Sequence, residues 1–75
     1  MNKLKNQINP NKLLLSKWTA VKPLNKEKHF IVVKVNLDEQ DLISTCILEA
    51  LINKREIVIN WQCLQDQETW LTGWQ

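Results

Sequence analysis

Tryptophan is the residue that most constrains the fold of this chain. Four tryptophans stand among its 75 residues, and Trp61, Trp70 and Trp74 fall in the last fifteen. A domain of this size buries only ~60–65% of the surface that its unfolded chain exposes, so its stability is narrow. Burying one tryptophan removes ~150–250 Å² from water, a gross gain of about 4–6 kcal/mol. We therefore expect most of these rings to lie in the core of a single small domain.

The clearest strand covers residues 29–37, where β-branched residues dominate. Such residues suit a pleated, half-buried surface. Alternation predicts a more mixed face with Phe30 and Val32. It predicts an apolar face with Ile31, Val33, Val35 and Leu37.

Two further segments also favour strands, residues 13–21 and residues 56–61. The first is expected to stop at Pro23, because proline has no N–H to donate to a ladder. The polar residues 24–27 predict a connecting turn.

Residues 42–52 fit two periodicities. Helical spacing places six apolar residues on one stripe, with Asp41 as an acceptable N-cap. Spacing of two, from Leu42 to Ile52, predicts a strand instead, and that strand would form a hairpin with residues 56–61. A tight turn at Asn53-Lys54 would place Cys46 opposite Trp61.

The C-terminal segment predicts a short helical turn. Asp66 can cap a turn over residues 67–71, and Gly73 stands near the left-handed stop position. Trp70 and Trp74 are four residues apart, so in a helix they would share one side.

Charge is distributed unevenly along the chain. Residues 1–34 contain eight lysines and one acidic residue, whereas residues 35–75 contain seven acidic residues and two basic ones. Residues 1–11, rich in Asn, Lys and Gln, are interpreted as a flexible arm preceding a domain at residues 12–75. No apolar run is long enough for a membrane span or a signal core, so we expect a cytoplasmic protein with no membrane contact.

The sequence contains no recognised catalytic or metal-ligating pattern. His29 is the single histidine, Cys46 and Cys63 are far apart, and Gly73 is the single glycine. A zinc site needs more ligands at shorter spacing, and a phosphate loop needs more glycines. We expect no enzyme activity, no metal and no cofactor. Whether the two cysteines ever pair is left open.

Several blocks of residues occur in a distinctive order. They are Asn9-Pro10, Ser16-Lys17-Trp18-Thr19-Ala20-Val21, Lys26-Glu27-Lys28-His29-Phe30, Lys54-Arg55-Glu56, and Asn60-Trp61 followed by Leu64, Asp66, Trp70, Gly73 and Trp74. The arrangement resembles a family of small tryptophan-rich bacterial proteins of uncharacterised function, over residues 9–74. The resemblance implies a meander of strands with a short closing helix, which favours a strand at residues 42–52. It implies no catalytic residues.

The predicted fold is all-β, an antiparallel meander or partly open barrel of about four strands with a short C-terminal helical turn. The alternative is α+β with a helix at residues 41–52. The predicted function is a non-enzymatic binding or adaptor module for a protein partner, with open sheet edges that also suit a homodimer. The second hypothesis is a single-stranded nucleic-acid-binding module that uses the basic and aromatic surface of residues 12–34. The candidate binding residues are Lys17, Trp18, Lys26, Lys28, His29, Arg55, Trp70 and Trp74.

Overall fold

Five antiparallel strands form one open sheet in the computed structural model, which describes residues 5–75. The strands are β1 (Lys17–Leu24), β2 (Glu27–Leu37), β3 (Ile43–Ala50), β4 (Glu56–Asn60) and β5 (Trp70–Thr72), and short 3-10 helices span Pro10–Lys12 and Trp61–Gln65. Their order across the sheet is β4-β3-β2-β1-β5. The first four strands therefore form a meander, and β5 returns to the free side of β1. The all-β prediction is confirmed.

The alternative helix at residues 41–52 is wrong, because Ile43–Ala50 is the strand β3. This strand pairs with β2 on one side and with β4 on the other. Pairing on both sides satisfies the backbone N–H and C=O groups of β3. It overrides the helical periodicity of this segment, which fitted the sequence only slightly better than the strand periodicity did.

One face of the sheet, the covered face, forms the core. Buried side chains on it come from three adjacent strands, and Leu13, Leu64 and Trp70 complete the cluster. The strand residues are Trp18, Phe30, Val32, Cys46, Leu48 and Ala50. The Phe30 and Trp70 rings meet edge to face, with centroids 5.3 Å apart. Two tryptophans, Trp18 and Trp70, are thus fully in the core, and Trp61 packs half-buried against it.

A bulge at Val33 changes which face of β2 is buried. Val32 pairs with Leu48, yet Lys34 pairs with Ile47, so one extra residue lies on β2. Phe30 and Val32 face the core before the bulge, and Val35 packs against it after the bulge. The predicted apolar face therefore faces the core at Val35 but not at Ile31, because the bulge reverses the alternation that the prediction assumed.

The β1–β2 hairpin turns at Asn25-Lys26, within the turn predicted at residues 24–27. Both residues have positive φ, 54° and 63°, as a two-residue type I′ loop requires. Pro23 does not end β1, which runs to Leu24. The register shifts between Thr19 and Leu24, and this irregularity tolerates a residue without an N–H.

The β3–β4 hairpin has a longer turn than predicted. Ala50 N–H donates to the Arg55 carbonyl at 2.9 Å, which leaves residues 51–54 in the loop. Lys54, with φ of 62°, takes the left-handed conformation in this turn. Cys46 consequently lies opposite Ile59 and not opposite Trp61.

The predicted helical turn at residues 67–71 is wrong, because Trp70–Thr72 is the strand β5. Asp66 does cap a turn, accepting a hydrogen bond from Glu68 N–H at 2.9 Å. Trp70 N–H, however, donates to the Asp66 carbonyl and the chain then extends along β1. The predicted left-handed position of Gly73 is correct, with φ of 75°.

The N-terminal segment lies against the end of the sheet. Residues 1–4 of the predicted arm lie outside the described residues. The buried Asn6 side chain donates to the carbonyls of Leu64 (2.8 Å) and Trp70 (2.9 Å). The mobility of residues 1–11 stays a prediction. Within residues 5–75, no helix is long and apolar enough to cross a bilayer.

Candidate functional site

The face of the sheet opposite the core, here the outer face, carries a mixture of apolar and charged side chains. Strand alternation and the observed pairs place on it Lys17, Thr19, His29, Ile31, Ile47, Glu49 and Val58. Val58 is 64% exposed, and Ile31 and Ile47 are half-buried.

The last three residues, Gly73 to Gln75, are tied to this face by hydrogen bonds. The buried Thr19 hydroxyl donates to the Gly73 carbonyl at 2.7 Å and accepts from Gln75 N–H at 2.9 Å. His29 Nε2 lies 2.8 Å from the Gln75 carbonyl oxygen. Gly73 N–H donates to the Lys17 carbonyl, which continues the β5 ladder to the turn. The segment is therefore fixed at both of its ends.

Trp74 is held in place on this segment while its ring remains accessible. Its indole Nε1 donates to the Phe30 carbonyl at 2.9 Å. Lys17 Nζ lies 4.7 Å from the ring centroid, a cation–π distance, and the His29 ring meets it edge-on at 6.5 Å. The residue is nonetheless 43% exposed. The arrangement presents a fixed aromatic ring in contact with the Lys17 ammonium and the His29 ring on the outer face.

The eight candidate residues fall into separate places. Lys17, His29 and Trp74 are in contact on the outer face. Trp18 and Trp70 are buried on the covered face, where Trp18 Nε1 donates to Ser16 Oγ at 2.8 Å.

The three other candidates lie elsewhere. Lys26 is in the β1–β2 turn, and Lys28 is exposed near the start of β2. Arg55 stands in a cleft with Trp70. The structure thus brings three of the eight together at one surface.

The cleft around Arg55 contains Glu27, which the sequence prediction did not include among the site residues, and Asn53 is hydrogen-bonded to that glutamate. The cleft has a volume of about 380 Å³, and Phe30, Ile57 and Trp70 are among its apolar walls. Arg55 and Asn53 donate to the buried Glu27 carboxylate, and mainly the Arg55 hydrogen bonds lower the pKa of Glu27 to about 2. The sequence offered one signal for this pair, since Glu27 is the single acidic residue among the first 34.

The two cysteines are free and lie in different environments. Cys46 is buried under the sheet, and this burial, reinforced by the nearby Cys63, raises its pKa to about 11. Cys63 is exposed in the 3-10 helix that follows β4. The Cys46 thiol is accordingly a packing group that stays protonated near neutral pH. In residues 5–75, no three His, Cys, Asp or Glu side chains are grouped to hold a metal ion.

Comparison with known families shows which family the chain is similar to. The model of a family described as tryptophan-rich protein (DUF2389) matches residues 16–75. The matched region begins just before β1 and includes all five strands, Trp74 and the Glu27–Arg55 pair. No curated protein and no solved structure matches the chain.

Proposed function

Since this chain belongs to the DUF2389 family of tryptophan-rich proteins, we propose that it is a small non-enzymatic module that binds a protein partner through its outer face. The binding surface consists of Trp74, Lys17 and His29, together with the adjoining Ile31.

The observation that carries this proposal is the fixed, accessible ring of Trp74. A fold this small is stabilised strongly by burying an indole, yet the residue Trp74 is 43% exposed and its ring is held by a hydrogen bond and two ring contacts. A side chain already fixed in place loses little conformational entropy on binding. Tryptophan is also among the residues most enriched at interface hot spots.

The neighbouring side chains define the chemistry of the partner. Lys17 pairs with Ile31 across β1 and β2, so a cation and an apolar side chain stand side by side next to the ring. Such a surface fits an apolar side chain flanked by a carboxylate. We infer a partner surface with an exposed apolar residue next to Asp or Glu.

Nucleic acid is the second candidate partner, and the packing of the aromatic residues favours it less. Base stacking needs accessible rings. Trp18 is 3% exposed and Phe30 is 4% exposed, so the rings of the proposed 12–34 surface are in the core. A single strand would contact Trp74 and the neighbouring Lys17.

We further propose that the protein acts in the cytoplasm. The two free cysteines support this location, since reducing compartments keep thiols unpaired.

The test compares capture of proteins from an extract of the source cells by four immobilised chains. These are the wild type, Trp74→Ala, Lys17→Glu and the control Leu42→Ala, which removes another exposed apolar side chain far from Trp74. We expect one or more proteins bound by the wild type and by the control. Truncation of a hot-spot tryptophan costs about 2 kcal/mol or more, so Trp74→Ala should weaken binding of the purified partner roughly thirtyfold.

Two outcomes would overturn the proposal. One is that all four immobilised chains capture the same proteins equally well, or that no chain captures any protein. The other is binding of a labelled single-stranded oligonucleotide that weakens steeply with salt and is lost in Lys17→Glu, which would assign the surface to nucleic acid. Circular dichroism of each variant establishes that the fold is retained.

A further inference from the structure

The outer edge of β4 is an unprotected strand. Glu56–Asn60 reads Glu-Ile-Val-Ile-Asn, with high β-propensity, one charge and neither Lys nor Pro. Natural sheets usually protect such an edge with lysine, proline, a bulge or a covering segment. β5, at the opposite edge, is only three residues long and is followed by the turn at Gly73.

Hydrogen bonding at the β3–β4 turn shows which backbone groups of β4 point outward. Ala50 N–H bonds to the Arg55 carbonyl. In an antiparallel ladder the bonded pairs alternate, so Ile57 and Ile59 direct their N–H and C=O groups toward β3. Those of Glu56 and Val58 point away from the sheet. Apart from the sheet ladder, neither residue makes a backbone hydrogen bond within residues 5–75.

We propose that this edge pairs with the same edge of a second copy of the chain, forming a continuous ten-stranded sheet about a two-fold axis at Val58. In an antiparallel pair centred there, Val58 faces Val58 of the second copy. Ile57 faces Ile59, and Glu56 faces Asn60. The contact is isologous, as a two-fold dimer requires.

This register satisfies the outward hydrogen-bonding groups of the strand and keeps like charges apart. The outward groups of Val58 bond reciprocally with those of the other Val58, and Asn60 N–H reaches the Glu56 carbonyl. All five residues of the strand are paired. A register centred on Glu56 would instead place two glutamates opposite each other, which is unfavourable.

The positions of the side chains favour the same register as the backbone hydrogen bonds. Val58 is 64% exposed on the outer face, and the two valines would shield each other there. Ile57 and Ile59 are half-buried on the covered face, so the same pairing adds an apolar contact on that side. Trp74 lies at the β1 side of the sheet, and β3 and β2 stand between β4 and β1, so the dimer leaves the surface proposed for a partner open.

Sedimentation of the full chain tests the proposal. The wild type is expected as a species of twice the chain mass. Val58→Lys places two like charges at the axis and should raise the dimer dissociation constant roughly tenfold or more. Val58→Pro removes an outward N–H that the β3 ladder does not use, and should act similarly. The control Leu42→Lys makes the same charge change at another exposed apolar site and should leave the dimer intact.

Cysteine cross-linking tests the register in a Cys63→Ser background. Directly facing residues in a bonded antiparallel pair have Cα atoms about 5.5 Å apart, within disulfide range. Val58→Cys should therefore form a disulfide-linked dimer under mild oxidation. Glu56→Cys should link to Asn60→Cys in a mixture and not to itself. A wild type that stays monomeric at millimolar concentration, or a Val58→Lys chain that remains fully dimeric, would overturn the proposal.

Discussion

The Arg55 guanidinium binds the Glu27 carboxylate through two hydrogen bonds, 2.6 Å from Nε to Oε2 and 2.5 Å from Nη2 to Oε1. The Glu27 side chain is only 2% exposed, whereas that of Arg55 is 53% exposed. Asn53 adds a third hydrogen bond at 2.9 Å. The pair joins the start of β2 to the turn between β3 and β4, and every donor favours the ionised carboxylate.

Protonation of Glu27 should reduce stability only in acid. Its pKa of about 2 in the folded chain lies below the ordinary value of 4.5. The carboxylate therefore contributes stability above pH 4.5, and this contribution disappears as the pH falls from about 4.5 to 2. We expect Glu27→Gln to be less stable than the wild type at pH 7, with a difference that shrinks across this interval.

Urea unfolding at pH 7, 5, 3 and 2 measures this difference. Glu39→Gln, at an exposed position in the β2–β3 loop, is the matched control and should change stability little. A Glu27→Gln deficit that stays constant down to pH 2 would contradict the role assigned to the carboxylate.

Lys26→Gly should stabilise the protein. Lys26 adopts φ of 63° at the second position of a type I′ turn, where Asn-Gly is strongly preferred. A side chain in this conformation costs about 1–2 kcal/mol, so glycine should add about 1 kcal/mol to the free energy of unfolding. That gain corresponds to roughly 4–8 °C in Tm, measurable by calorimetry. Lys28→Gly, two residues later in β2, should instead lower Tm. The prediction fails if both variants lower it.

Asn6→Ala should destabilise the protein although it removes no apolar contact of the core. The Asn6 amide satisfies the carbonyls of Leu64 and Trp70, and its loss leaves both without that donor. An unsatisfied buried acceptor costs about 1–3 kcal/mol, and chemical denaturation measures this loss. Gln7→Ala, at the exposed next position, serves as the control. Equal stability of the two variants would show that residues 5–9 contribute little to the fold.

Trp74 should account for most of the tryptophan fluorescence that acrylamide can quench. Trp18 and Trp70 are buried, Trp61 is half-buried, and Trp74 is the most accessible of the four. We expect Trp74→Phe to shift emission to shorter wavelength and to lower the quenching constant. Trp18→Phe should do the opposite, because it removes a shielded emitter. An unchanged quenching constant in Trp74→Phe would place the accessible ring elsewhere.

The sequence predicted the class of the fold because the strand signals are local. The β-branched run from Ile31 to Val35 and the polar residues around Asn25 each specify their own conformation. The apolar face predicted for β2 is wrong before Val33, because the bulge at that residue depends on how β3 pairs with β2. The tail was predicted as a short helical turn because Asp66 and Gly73 suit its two ends, whereas pairing with the distant β1 decides its structure.

The candidate site was predictable in its residue types but not in its grouping. Lys17, His29 and Trp74 come together because β5 returns to β1, and that connection has no signature in the local sequence. Glu27 and Arg55 are 28 positions apart, and only the hairpins between them bring them into contact.

The return of β5 to β1 also sets an order of events when the chain folds. Successive turns join β1 to β4, so these strands find their neighbours at short sequence separation. Trp18 meets Thr72 only after a loop of more than fifty residues has closed, a step with a larger entropic barrier. We expect β5 to dock late, so that weakening it accelerates unfolding and leaves the refolding rate nearly unchanged.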